Sequence, residues 1–132
     1  MKKLLSFLIA ILLISTSLFA QTTWKADPLH SKLTFSIMHL GISDVAGLFK
    51  TFDVTATATN ADFSDAVFEL SADVASINTE VEMRDNHLRS ADFFEVEKYP
   101  KMTFKSTSIK KISEDKYQLT GDMTIRGITK PV

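Results

Sequence analysis

The sequence contains no cysteine, and only three prolines and four glycines among its 132 residues. Without cysteine the chain forms no disulfide bond, has no thiolate to bind a metal and has no residue to carry a lipid anchor. Stability therefore has to come from a hydrophobic core. A single domain of this length buries about 65% of the surface that its unfolded chain exposes, which is enough for it to fold alone.

The residue patterns of common enzymes are missing as well. The three histidines, His30, His39 and His87, include no pair at the i, i+4 spacing of a metal-binding helix. The sequence has no Gly-x-Ser-x-Gly motif, no phosphate loop and no dinucleotide fingerprint. Asp92 and Glu95 are interpreted as solvated charges of a polar connection. We therefore expect a protein that is not an enzyme and that holds neither a metal nor a cofactor.

The N-terminal region has the pattern of a secretory signal peptide. A basic start, Met1-Lys2-Lys3, precedes an apolar run over residues 4–19, and small Ala20 follows. The alternative is an uncleaved membrane anchor, but the run of about 16 residues is shorter than the roughly 20 that a spanning helix needs. The pattern predicts a signal peptide at residues 1–20, a mature domain at residues 21–132, export from the cytoplasm and no membrane anchor.

The charge of the predicted mature chain excludes some partners. Removal of residues 1–20 removes two lysines and no acidic residue, so the formal charge changes from −1 to −3. A mildly acidic domain has no electrostatic attraction for polyanions, and nucleic acid is therefore not an expected partner.

Five segments of the mature region alternate apolar with polar side chains: residues 32–37, 52–59, 66–75, 101–105 and 117–126. A period of two with one apolar face is typical of half-buried antiparallel strands. We expect an all-β antiparallel meander, which closes into a barrel or forms a sandwich. Gly41 and Gly47 bracket the link between the first two strands, and Gly121 marks a bend or bulge in the last one.

Two further segments complete the predicted architecture. Residues 79–91 carry a narrow apolar stripe of helical spacing, with Thr79 as a candidate cap and Glu82 three residues later. The final residues, 127–132, have the pattern of a turn that leads into a strand beyond Val132. About five or six strands are visible, fewer than the eight of a ligand-holding barrel, so we expect the C-terminal strands to be missing.

Four motifs follow one another in the mature region. The first comprises His30-Ser31, Phe35, His39 and Gly47-x-Phe49; the second is Arg84-Asp85-x-His87-Leu88-Arg89-Ser90-x-Asp92-Phe93-Phe94. The third is Tyr99-Pro100-x-x-x-Phe104-x-Ser106, and the fourth is Gly121-x-x-Thr124-Ile125-x-Gly127-x-Thr129-Lys130-Pro131-Val132. Together they resemble the YceI-like family of bacterial polyisoprenoid-binding proteins, from about Trp24 to Val132.

The resemblance implies an extended lipocalin-like up-and-down barrel of eight antiparallel strands. Its apolar tunnel would hold a long isoprenoid chain, such as a polyprenyl or quinone tail. The resemblance also implies a periplasmic location and a homodimer in some members, and it implies no catalytic residues. Members continue for several strands after the Thr-Lys-Pro motif, so the barrel of this chain is expected to be incomplete and to expose an unpaired edge.

The predicted ligand-binding residues are the apolar side chains of the strand faces together with two aromatic residues of the helical connection. The ten phenylalanines and five methionines of the chain form either a packed core or the wall of a cavity, and periodicity does not distinguish the two. The predicted wall consists of Phe35, Ile37, Phe52, Val54, Phe68, Leu70, Val74, Met102, Phe104, Leu119, Met123 and Ile125, with Phe93 and Phe94 at one end.

Three polar residues are weaker candidates. His39 follows Ile37 on the same strand face and could donate a hydrogen bond to a ligand headgroup, although a buried histidine paired with the backbone is the favoured interpretation. Arg84 and His87 belong to the most specific motif. Anchoring of the helical connection is favoured slightly over headgroup contact for both.

Two functions are compatible with these observations. The first is the carriage or storage of an isoprenoid-type lipid in an internal barrel cavity in the periplasm. The second is an envelope stress or scaffold protein with a filled barrel, which acts through a surface or a dimer interface and exposes an apolar patch of more than a few hundred Å².

Replacement of Phe68 by Asp tests the predicted wall. A carboxylate on the apolar strand face is expected to abolish co-purification of lipid while the protein stays soluble. Organic extraction of the purified variant provides the measurement, and lipid retained by Phe68→Asp would contradict the assignment.

Overall fold

The computed structural model describes residues 20–132. The predicted signal peptide therefore lies outside the described residues, apart from exposed Ala20, and remains a prediction. The strands are β1 (Thr22–Lys25), β2 (Leu33–His39), β3 (Ser43–Phe49), β4 (Phe52–Ala58), β5 (Val67–Asp73), β6 (Ile77–Asn78), β7 (Lys101–Ser113), β8 (Lys116–Ile125) and β9 (Ile128–Pro131). A 3₁₀ turn, Val74–Ser76, precedes β6, and one helix, α1 (Glu82–Arg89), follows it.

The strands form two antiparallel sheets. The six-stranded sheet has the order β1-β4-β5-β7-β8-β9, and the three-stranded sheet has the order β2-β3-β6. The all-β antiparallel, lipocalin-like prediction with a short helical connection is thereby confirmed. Within residues 20–132 no strand pairing joins the two sheets. The strands therefore do not close into a complete barrel within these residues.

The alternating segments correspond to β2, β4, β5, β7 and β8, but one long strand was missed. The link between Gly41 and Gly47 is not a simple connection, because β3 occupies most of it and pairs with β2 along its whole length. The two strands form a hairpin whose loop contains Leu40 and Gly41, both with positive φ. The sequence of β3 does not alternate cleanly, since Gly47 stands at a position that faces the core side of the sheet.

The C-terminal segment also differs from the expectation. Residues 127–132 were expected to form only a turn, but Ile128–Pro131 is itself a strand, paired with β8. Arg126 (φ 51°) and Gly127 (φ 70°) form the tight turn between them. The ring of Tyr99 covers this turn, and a Cβ atom on Gly127 would lie 2.7 Å from its Cε1.

The bend predicted at Gly121 is confirmed as a bulge in the partner strand. Ser106 pairs with Gly121, but the next pair is Ser108 with Thr120, so Thr107 is the extra residue of β7. A bulge increases the local twist of a strand pair. The long β7–β8 hairpin therefore curves instead of continuing as a flat ribbon.

Helix α1 begins later than expected and is not capped by Thr79. The N-cap is Val81, which makes no side-chain capping bond. Thr79 is buried instead and donates from its backbone N–H (2.9 Å) and its hydroxyl (2.6 Å) to Oδ1 of Asp85. Arg84 donates from Nε to the Thr79 hydroxyl and from a terminal nitrogen to the Thr79 carbonyl, each at 2.7 Å. These bonds attach the helix to the strand before it.

A second attachment comes from the end of the helix. Arg89 donates to the carbonyl oxygens of Ala75 and Ile77, each at 2.8 Å. Both carbonyls belong to the segment that contains the 3₁₀ turn and β6. The helix is therefore fixed to the three-stranded sheet at both of its ends.

The core lies at the end of the molecule where the two sheets and the helical connection meet. Its buried members are Phe49, Ala72, Val74, Ile77 and Met102. They come from β3, β5, the 3₁₀ turn, β6 and β7, so this one cluster joins both sheets. The opposite face of the six-stranded sheet is polar and carries the cross-strand ion pairs Lys101–Asp73 (2.6 Å) and Lys105–Glu69 (2.8 Å).

Replacement of Asp85 by Ala tests the attachment of the helix. It leaves the buried N–H and hydroxyl of Thr79 without their acceptor, and we expect a loss of about 3 kcal/mol in the free energy of unfolding. Urea denaturation measures the change. Glu82→Ala, on an exposed position of the same helix, is the matched control and should change stability by no more than about 0.5 kcal/mol. Equal stabilities of the two variants would contradict the attachment.

Candidate ligand-binding groove

An apolar groove of about 710 Å³ runs between the three-stranded sheet, the helical connection and the ends of β7, β8 and β9. We call this space the apolar groove. Its size lies within the usual range for small-molecule sites, about 300 to 1,000 Å³. The lining residues are Leu33, Thr34, Phe35, Ile37, Phe49, Ile77, Leu88, Asp92, Phe93, Phe94, Met102, Met123, Ile125, Arg126 and Ile128.

The floor of the groove is the hydrophobic core itself. Phe49, Ile77 and Met102 are buried, with Ile77 only 1% exposed. The ring of Phe49 lies 5.6 Å from that of Phe35 and 6.2 Å from that of Phe94, measured between centroids. The aromatic rings therefore pack against one another at the base but leave the space above them open.

One rim of the groove is formed by the residues after α1. The ring of Phe93 meets the imidazole of His87 edge to face at a centroid distance of 4.8 Å. The same imidazole contacts Asp92 through Nε2 at 3.2 Å. His87 thus orients the rim residue Phe93 and does not point a free polar group at the interior.

Charged side chains hold this rim against the β8–β9 turn. Arg126 donates to the carbonyl of Ala91 at 2.8 Å and to the Glu95 carboxylate at 3.2 Å. The Nζ atom of Lys98 lies 5.2 Å from the centroid of the Tyr99 ring. Interaction with the Tyr99 hydroxyl and, to a smaller extent, with the Glu95 carboxylate raises the pKa of Lys98 above its ordinary value. The rim is polar, whereas the interior of the groove is formed almost wholly by aliphatic and aromatic side chains.

Seven of the fourteen apolar residues predicted to bind the ligand line this groove. The residues that the structure brings together there are Phe35, Ile37, Phe93, Phe94, Met102, Met123 and Ile125. They come from the strand faces and from the two aromatic residues after the helix. Their contact with a ligand stays a prediction.

The remaining predicted residues lie elsewhere. Val74 is buried in the core, Phe52 and Leu70 pack against it, and Val54 is half-buried on β4. Phe104 lies over Gly121, with its ring 2.5 Å from the place that a Cβ atom would occupy.

Phe68 and Leu119 line a separate apolar depression of about 270 Å³ near the other end of the six-stranded sheet. It is shared with Phe63, Ile109 and Tyr117. Phe68→Asp therefore tests the wall predicted from the sequence and does not test the apolar groove. The apolar groove and this depression border the same sheet. Leu119 lines the depression, Ile125 lines the groove, and the two are six residues apart along β8. At about 3.3 Å per residue, this separation corresponds to roughly 20 Å.

The expectation for His39 is wrong in one respect. Its side chain is exposed at the end of β2 and outside the residues that line the apolar groove. It is therefore not a buried histidine paired with the backbone. The reason is that β2 continues past the core into the hairpin, so a residue on the inward-facing side is no longer covered there.

Sequence reasoning missed several groove residues. They are Leu33, Phe49, Ile77, Leu88 and Ile128, together with the rim residue Arg126. Phe49 belongs to the first motif and Leu88 to the second, which could have indicated them. Ile77 and Ile128 lie on β6 and β9, short strands without an alternating pattern of their own.

Within residues 20–132, no group of three or more His, Cys, Asp or Glu side chains is close enough together to hold a metal ion. In the same part of the chain, no helix has the length and apolar character that crossing a membrane requires.

The comparison with known protein families gives a match to the YceI-like domain over residues 24–132. The chain belongs to the YceI-like family. Protein YceI of Salmonella arizonae is 41% identical to it over 133 aligned positions, which cover 99% of this chain and 69% of the relative. The chain thus spans about two thirds of the length of the curated YceI relatives.

Solved structures agree with this membership. BcnA of Burkholderia cenocepacia is 27% identical, with a TM-score of 0.74 over 80% of this chain and 66% of that chain. A polyisoprenoid binding domain from Saccharophagus degradans, implicated in plant cell wall breakdown, is 15% identical with a TM-score of 0.51 over 86% of this chain and 60% of that one. At 15% identity the likeness shows the fold alone.

Replacement of Arg126 by Gln tests whether this residue holds the rim. Loss of the partly exposed bonds to Ala91 and Glu95 is expected to cost about 1 kcal/mol. Local opening of residues 91–96 should then become about fivefold more frequent, as measured by amide hydrogen exchange. Lys130→Gln, on an exposed position of β9, is the control. Unchanged exchange in Arg126→Gln would contradict the role of the residue.

Proposed function

We propose that the protein binds a long apolar isoprenoid-type lipid, such as a polyprenyl or quinone tail, in the apolar groove. The observation that carries this proposal is an open space of about 710 Å³ whose interior is lined by aromatic and aliphatic side chains. Its charged side chains, Asp92 and Arg126, lie at the rim, where they contact His87 and Glu95. A groove of this kind selects a ligand by length and width and discriminates weakly between headgroups.

The free energy of such binding comes from burial of hydrocarbon. Each buried CH₂ contributes roughly 0.8 kcal/mol, so each five-carbon isoprene unit contributes on the order of 3 to 4 kcal/mol before costs. Association and ordering cost about 4 to 15 kcal/mol. A few isoprene units therefore give useful affinity without any ion pair.

Binding is favoured over catalysis by the chemistry of the groove. Asp92 and Arg126 are its charged lining residues, and each already contacts a neighbouring protein group: Asp92 contacts His87, and Arg126 contacts Glu95. The residues that line the groove include no serine, cysteine, histidine or lysine, the side chains most often used as nucleophile or base. Membership of the YceI-like family and the fold shared with a polyisoprenoid binding domain support the same proposal.

The proposed place of action is the periplasm. The support is the signal-peptide pattern of residues 1–20, which predicts export of the mature domain. There the protein would carry or store its lipid, since an apolar chain needs a protein cover to pass through water.

A second function is favoured by a different surface. The β2–β3 hairpin presents exposed apolar side chains at its tip, with Leu40 80% and Ile42 89% exposed. Contiguous apolar residues on a surface mark sites of association. An envelope scaffold or homodimer that acts through this hairpin is therefore the second candidate.

Replacement of Ile125 by Asp tests lipid binding at the groove. Ile125 lines the groove but is 38% exposed, so a carboxylate there remains partly hydrated and the fold should persist. We expect the variant to lose a co-purifying or added isoprenoid, because a charge next to the buried chain is poorly solvated. Native mass spectrometry and organic extraction provide the measurement.

Met83→Asp is the matched control for this experiment. Met83 is apolar and 81% exposed on α1, and it lies outside the groove lining. It should retain the same amount of lipid as the parent protein. Retention of equal amounts of lipid by Ile125→Asp and Met83→Asp would contradict the assignment of lipid binding to the groove. A parent protein that is folded but binds no isoprenoid would instead favour the second candidate.

A further inference from the structure

Gly47 of the first motif has a close neighbour on the adjacent strand. Gly47 and Phe35 are direct partners in the β2–β3 pairing, and side chains at paired positions project from the same face of a sheet. A Cβ atom on Gly47 would lie 2.5 Å from Cζ and 2.9 Å from Cε1 of Phe35. The Phe35 ring thus occupies the place where any other residue at position 47 would have its side chain.

The space is closed from a second direction by Thr79. The same Cβ atom would lie 2.9 Å from Cγ2 of Thr79. Thr79 is buried and fixed by its bonds to Asp85 and Arg84, so it has little freedom to withdraw. The Phe35 ring, which is half-buried and borders open space, is the group that would have to move.

The direction of that movement is set by the neighbours of the ring. Phe49 lies beside Phe35 and is only 5% exposed within the core, where packing density leaves no room for a displaced ring. The side that remains is the apolar groove, which Phe35 lines. A methyl group at position 47 therefore pushes the ring into the space proposed for the ligand.

We propose that Gly47 determines the width of the apolar groove, by allowing the Phe35 ring to lie against β3, and that this width admits methyl-branched chains. The inference rests on the proposed lipid-binding function. Isoprenoid chains carry a methyl branch on each unit and are wider than straight hydrocarbon chains. Gly47 is a positioning residue in this scheme, because it acts through Phe35 and contributes no side chain of its own.

The test compares farnesol with dodecanol, a straight-chain alcohol of the same backbone length without methyl branches. In Gly47→Ala, affinity for farnesol should fall roughly tenfold or more, the usual effect of methylene-sized changes in an apolar pocket, while affinity for dodecanol falls less. Titration calorimetry measures both, and circular dichroism verifies the fold. Ala46→Ser is the control, since it adds one heavy atom at the neighbouring, exposed position of β3, which projects from the opposite face of the sheet.

A double-mutant cycle tests the action through Phe35. In a Phe35→Leu background the ring is absent, so the further change Gly47→Ala should no longer reduce farnesol binding selectively. Phe35→Trp places a larger ring on the same glycine without adding an atom to β3. It should produce the selective loss even if Gly47→Ala does not fold.

The position of the ring can be measured without any lipid. The Hα resonances of Gly47 should be displaced by the ring current of Phe35 in the ligand-free protein, and this displacement should disappear in Phe35→Leu. Its absence from the parent protein overturns the inference.

The binding outcomes separate this inference from the proposed function. If the parent protein binds farnesol but the variants lose affinity for both alcohols equally, or for neither, the role of Gly47 is contradicted. The proposed function is not contradicted by that result. A parent protein that shows the ring-current displacement but binds neither alcohol overturns the proposed function, and with it the selection of chains.

Discussion

The shape of the groove depends on the buried bonds between Thr79 and helix α1. Oδ1 of Asp85 accepts hydrogen bonds from the backbone N–H and the hydroxyl of Thr79. Arg84 donates two hydrogen bonds to Thr79. A buried polar group without a partner is costly, so these three residues keep one relative arrangement. They fix the helix over the three-stranded sheet, and the helix in turn places Phe93 and Phe94 beside the groove.

Much of the fold could be predicted because its central strands alternate cleanly. β4, β5 and β8 each present one apolar and one polar face, and that pattern is sufficient for an antiparallel sheet. β3 was missed because Gly47 interrupts its apolar face. β6 and β9 were missed because strands of two and four residues are too short for a period of two to be recognised.

The candidate site was less predictable than the fold. Periodicity assigns a residue to a face, but it does not say where along the strand the two sheets separate. Val74 and Ile125 were both assigned to apolar faces, yet Val74 is part of the hydrophobic core and Ile125 lines the apolar groove. Val74 belongs to the 3₁₀ turn that packs into the core, whereas Ile125 is the last residue of β8, and a period of two does not encode this difference. The prediction that His39 is buried was wrong for a similar reason, since β2 extends beyond the core.

The separation of the two sheets has a consequence for uptake of the proposed ligand. In a closed tunnel, a polymer enters end first, and each additional unit must pass the same constriction. No strand pairing within residues 20–132 joins the two sheets, so in this part of the chain no continuous ring of strands encloses the apolar groove. A chain bound there would need no threading step, and its rate of uptake would not fall with each added unit.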